Sequence, residues 1–434
     1  MSWRVIVALA SVLLISDGLG AAAIAAKPGP ALLPGKPGGV LNVLTREDLA
    51  QGFSIHESAT LSTIWPAQPC FNNLVTFDPV KPLETFDTVV PELAEKWSWQ
   101  DGYRNLVFFL RRGVKWHDGQ PFTSKDVKFT FDMVREAPDA TGKLRVNPRK
   151  DWYGSIEAIE APDPHTVVFH LRRPQPSLLL MLASGDSPIY PAHVPPAEQR
   201  TRCVGTGPFK LKEWKRGEYV DYVRNPDYFV KGRPYLDGIR YLIVTERGTR
   251  TAALQAGRAD AASPLDSSPH IAAQLRAAVP GMVITRVGAG NADNLLLNIT
   301  KPPFNDSRVR RALSRAVDRQ AFIKAVLQGS GIPGGALAPR PVGFWGLVLP
   351  DLGAAGDKTQ ARQLLASAGY TASNPLRVEI VTRNLAIYRD MAAFVLNELK
   401  QVGVESTLRS IETVEWYGIA SRKEFQIGAN ISGY

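Results

Sequence analysis

LAEKWSWQDGYRNLVFFLRRGVKWHDGQPFTSKDVKFTFDMV, residues 93–134, holds a strand, a turn and a capped helix in close succession. Leu106-Val107-Phe108-Phe109-Leu110-Arg111 is a nearly all-apolar run, the pattern of a strand buried on both faces. Asp118-Gly119 is a turn pair, because glycine accepts the positive φ that other residues avoid. Thr123 stands where it can cap the next helix. Asp126 completes a capping box there and puts a negative charge in the first turn. Val127, Thr130, Phe131 and Val134 fall on one face of that helix, widened by Phe129 and Met133.

Two further blocks are as ordered as the first. One is GTGPFKLKEWKRGEYVDYVRNPDYFVKGRPYLDGIRYLIV, residues 205–244, and the other LLLNITKPPFNDSRVRRALSRAVDRQAFIKAVL, residues 295–327. Together with LAEKW and LRRGVKWHDGQPFTSKDVKFTF, these blocks resemble the periplasmic solute-binding proteins of peptide, dipeptide and nickel ABC transporters (solute-binding family 5). The resemblance runs from about Val40 to the end of the chain. It implies an α/β fold, a two-lobed periplasmic binding protein of type II with an extra domain inserted in the first lobe. The expected divisions are 27–73 and 205–290 for the first lobe, 74–204 for the insert and 291–434 for the second lobe. Related chains continue past a segment like Phe425-Gln426-Ile427-Gly428 into a cleft loop. In the dipeptide and oligopeptide binders an Asp in that loop pairs with the peptide's ammonium group. Here the second lobe is therefore expected to be incomplete and that Asp missing.

At 434 residues the chain calls for two or three domains. The net charge of +10 comes from 51 Lys and Arg against 41 Asp and Glu, dispersed without a run of like charges. That distribution describes a solvated basic surface better than a nucleic-acid face. Residues 1–26 have the form of a cleavable signal peptide: Arg4, then apolar Val5–Ile15, then small residues ending at Ala25-Ala26. The apolar run is too short to span a membrane, and no Cys near the cleavage site suggests a lipid anchor. A bacterial periplasm follows, and in that oxidising compartment Cys70 and Cys203 could be bridged or remain two buried thiols.

Beyond the three blocks, Val40–Leu44 reads as a first strand. Asp306, Asp318 and Asp357 read as helix N-caps, and Leu376–Val381 as a strand. Strand and helix alternate in the last third, as in a largely parallel sheet. Gly205-Thr206-Gly207-Pro208 is no phosphate loop, because no Lys-Ser/Thr follows and proline removes a donor.

No constellation for catalysis stands out. His117-Asp118 is the most tempting pair, but its turn setting favours a structural role. His165 and His170 face opposite sides of a strand, and no metal-binding spacing occurs. The chain reads as a binder rather than an enzyme, with no cofactor. The resemblance points to Arg46 and Glu47 in the loop after the first strand, Asn294 near a hinge, and Trp345. It also points to Arg383, Trp416 and Tyr434, with Arg383 offering its fork to a ligand carboxylate. Short peptides are the leading solute. Opines, oligosaccharides, haem or chelated nickel are alternatives, and so are a periplasmic hydrolase and a chain that has lost activity. The partner implied is an inner-membrane permease, with the protein itself a monomer.

Overall fold

The structure, a computed structural model, describes residues 35–81, 83–262, 269–284, 291–334 and 355–433. The expected signal peptide, Trp345 and Tyr434 lie outside the described residues.

The first lobe opens with β1 (Val40–Thr45) and the short helix α1 (Leu61–Ala67). The chain then enters a run of antiparallel strands. These are β2 (Val75–Phe77), β3 (Val89–Pro91), β4 (Ala94–Gln100) and β5 (Asn105–Leu110). Helix α2 (Ser124–Val134), β6 (Ile156–Asp163), β7 (Thr166–Leu171) and α3 (Leu178–Ala183) follow. Strand β5 is central in a four-stranded sheet of order β4-β5-β7-β6, and α2 carries the Thr123–Asp126 capping box. The Thr123 N–H donates to Asp126 Oδ2 at 2.8 Å.

The chain returns through β8 (Phe209–Lys215), β9 (Tyr219–Arg224) and β10 (Gly238–Ile243). Next come α4 (Arg247–Gln255), β11 (Ala261–Ala262) and α5 (Pro269–Ala278). These complete a five-stranded sheet, β11-β1-β10-β9-β8, in which β1 runs parallel to both of its neighbours. One apolar core joins this sheet to the antiparallel one: Val43, Phe53, Tyr222 and Tyr241 share it with Leu106, Phe131 and Phe169.

The return is pinned. Cys70 and Cys203 are disulfide-bonded, which resolves the alternative left open by the sequence. A Cβ on Gly205 would lie 1.8 Å from the Cys70 carbonyl oxygen, so that position has no room for a side chain. His117 holds the same junction, with Nε2 3.0 Å from the Gly207 carbonyl, and is structural. Asp118 does not pair with it but with His193, at 2.7 Å.

The second lobe comprises β12 (Asn291–Leu297), α6 (Ser307–Ala316), α7 (Arg319–Ala325) and α8 (Lys358–Ser367). It continues with β13 (Arg377–Arg383), α9 (Ala386–Lys400), β14 (Glu405–Ile411), α10 (Thr413–Arg422) and β15 (Ile427–Gly433). Asp306, Asp318 and Asp357 each accept a hydrogen bond from their helix's first turn, as their sequence positions suggest. The sheet order is β12-β15-β13-β14, with β13 parallel to both neighbours and β12 antiparallel. Helices α6, α8 and α9 cover one face, and α10 covers the other, packing Trp416 and Ile419 against Val381 and Ile411 of the sheet. Among the described residues no helix is long and apolar enough to cross a membrane.

Candidate functional site

Ligands of open α/β sheets settle outside the carboxyl ends of parallel strands, where helix N-termini and loops converge. Strand β1 ends at Thr45, and the loop from Arg46 leads on to α1. In the second lobe β13 ends at Arg383, and β14 ends at Ile411 just before α10 begins at Thr413. These two edges face each other, and Glu47 joins them.

Both Glu47 carboxylate oxygens accept from Arg383 Nη2 at 3.2 Å. The Thr413 hydroxyl donates to Oε1 at 2.6 Å, and the Ser62 hydroxyl, on the same lobe as Glu47, donates to Oε2 at 2.6 Å. Burial pushes the Glu47 carboxyl up. Arg383, the two hydroxyls and Arg46 outweigh that and hold its pKa below the ordinary value. Arg383 is 2% exposed and fully engaged. Its Nη1 donates to the Tyr388 hydroxyl at 2.7 Å, its Nε and Nη2 to Thr413 Oγ1 at 3.1 and 2.8 Å. Its guanidinium also lies 4.6 Å from the Tyr388 ring centroid and 5.8 Å from that of Tyr417. A second crossing runs from the Tyr417 hydroxyl to the Ala59 carbonyl, at 3.0 Å.

The geometry therefore brings together Arg46, Glu47 and Arg383, with a difference from expectation. The Arg383 fork meets a carboxylate of the protein itself. Asn294 lies on β12 opposite Asn430, and its amide donates to the Ala292 carbonyl at 3.2 Å, outside the Glu47 network. Trp416 is a correction. It is 1% exposed, packed against Phe425 at 5.8 Å between ring centroids, and offers no face to a ligand. The reason is the register of α10, whose Trp416 and Ile419 turn onto the sheet while Thr413 and Tyr417 turn toward the first lobe. Sequence reading missed Ser62, Tyr388, Thr413 and Tyr417. Only Thr413 carried a signal, a hydroxyl at the start of a helix, and that signal points to capping rather than to a contact between lobes.

Residues 88–432 match the bacterial extracellular solute-binding proteins, family 5. The chain belongs to that family. A putative ABC transporter peptide-binding protein of Brucella ovis is 28% identical over 376 residues, covering 81% of this chain. The chain spans 65% of that relative's length. Among solved structures, the periplasmic binding protein DppA of Helicobacter pylori with the peptide STSA superposes with a TM-score of 0.79 at 23% identity. That match covers 92% of this chain and 78% of DppA. AgaA of A. tumefaciens R10 with agropinic acid superposes at 0.78 with 26% identity, covering 91% of this chain and 77% of AgaA. The fold is that of the type II periplasmic binding proteins, and the two sheets with their facing edges are its two lobes.

Proposed function

We propose that this protein is the substrate-binding component of an ABC importer. It captures a small solute between its lobes and delivers it to an inner-membrane permease. The observation that carries this reading is the Glu47–Arg383–Thr413 bridge, which joins two lobes at the carboxyl edges of their parallel strands. Closure of that kind buries a solute without transforming it, and no acid–base or nucleophile constellation is needed. Short peptides are the leading solute class, supported by the peptide-binding relative and by the DppA complex. AgaA, with an opine, marks the main alternative. We infer a periplasmic monomer whose lobes are 27–73 with 205–290, and 291–434, and whose inserted domain is 74–204.

Native mass spectrometry of the protein purified from periplasm tests this. A compact ion releasing a peptide mass is the expected result. A released opine or sugar would replace the peptide class, and an ion with nothing bound at any solute concentration would overturn the importer reading.

A further inference from the structure

Two guanidinium groups and one carboxylate meet where the lobes join, and one positive charge is left over. Arg383 is satisfied by Glu47, Thr413 and Tyr388. Arg46 is not. Its side chain is 6% exposed, and its one charged contact among the described residues is Glu47 Oε2 at 3.5 Å, too long for a charge-assisted hydrogen bond. Its Nε is buried with no hydrogen-bond partner among the described residues.

Other carboxylates of the same lobe are engaged elsewhere. Asp48 accepts from the Trp214 indole N–H at 2.9 Å and the Gly217 N–H at 2.7 Å. Glu57 holds Arg200 through bonds of 2.7 and 2.6 Å, and Asp186 holds Arg149. Buried arginines are ordinarily paired, because an uncompensated charge away from water is costly. A buried guanidinium Nε with no acceptor among the described residues, beside the strut that joins the lobes, is a place where an anion would be held. Its surplus is a single charge, which a monocarboxylate balances and a phosphate dianion overshoots.

We propose that Arg46 takes the carboxylate end of the captured solute, while the Glu47–Arg383 pair stays in place as the interlobe strut. This rests on the solute-binding reading above. It moves the carboxylate contact from Arg383, where the sequence put it, to the arginine that makes only a long contact with Glu47.

The test is calorimetric binding of three probes to the full chain: Ser-Thr-Ser-Ala, its C-terminal amide, and agropinic acid. Wild type is expected to prefer the acid peptide to the amide. Arg46→Gln should weaken the acid about 10- to 100-fold, the range of a lost charged hydrogen bond, and bring the acid-to-amide ratio near one. Arg46→Lys should keep part of the preference, since it retains the charge but not the fork. Misfolding would weaken acid and amide alike, so the ratio separates the two causes. An unchanged ratio in Arg46→Gln, or a ratio abolished by Arg383→Gln instead, overturns the proposal. Binding of agropinic acid alone, weakened by Arg46→Gln, would overturn the peptide class and uphold the Arg46 seat. Wild type binding none of the carboxylate probes overturns the seat.

Discussion

At the scale of single residues, a partly buried carboxyl, Glu92, and a fully buried imidazole, His56, set opposite pH dependences. Glu92 accepts from the Asn72 amide at 2.6 Å and the Asn73 N–H at 2.7 Å, yet burial pushes its pKa from 4.5 up to about 7. The folded state then holds its proton more tightly than the unfolded chain does. Its stabilising effect is complete below pH 4.5 and is lost as pH rises through about 7. His56 has the opposite sign. Burial lowers its pKa from 6.5 to about 3, so it favours the fold above pH 6.5 and opposes it as pH falls toward 3. Between pH 4.5 and 6.5 the two slopes offset each other, which leaves Glu92 visible mainly near neutrality. Glu92→Gln should therefore lose less stability relative to wild type at pH 8 than at pH 5. The difference should be about 1–2 kcal/mol in urea titrations, after discounting for the partial exposure of the residue. Equal losses at both pH values would show that Glu92 does not carry the effect.

At the scale of elements, α10 is the piece whose seating matters most, because it brings Thr413 and Tyr417 to the other lobe. Gly428 on β15 lets Trp416 sit down: a Cβ there would lie 2.4 Å from the indole ring. Gly428→Ala should cost about 1–3 kcal/mol by overpacking and lower the melting temperature. It should also tilt α10 and weaken solute binding, whereas a substitution at exposed Arg377 should do neither. Such helices were legible where their signals are local. The caps at Thr123, Asp306, Asp318 and Asp357 are each a polar side chain beside its own first turn, and all four stand in the structure. The seating of Trp416 was not legible, because periodicity shows that a helix has an apolar face without saying which wall that face meets. The Glu47–Arg383 pair was half legible. Each residue was singled out as a cleft candidate, but 336 positions separate them and no local pattern announces that they neutralise each other.

At the scale of the whole molecule, two ties act on different motions. The Cys70–Cys203 bond spans 133 residues and joins the chain just before and just after the antiparallel strands β2 to β7. Constraining so long a loop restricts the unfolded chain, so Cys70→Ser with Cys203→Ser should lower stability by about 2–4 kcal/mol and leave solute selectivity unchanged. The Glu47 strut acts instead on the lobes, whose cores are separate and survive its loss. Glu47→Ala removes the partner of Arg383 and leaves two guanidinium groups buried together, a penalty of about 3 kcal/mol levied on the closed form alone. The lobes should then open, which small-angle scattering reads as a larger radius of gyration, while the melting transition of each lobe stays cooperative. Acid should do the same to wild type. The Glu47 pKa is held below its ordinary 4.5, so the strut is intact above that value and fails as pH falls through the lowered one. Glu47→Ala should already be expanded at neutral pH and show no further opening across that acid range. If wild type and variant expand together on acidification, then some other carboxylate holds the lobes, and Glu47 is only a bystander at the joint.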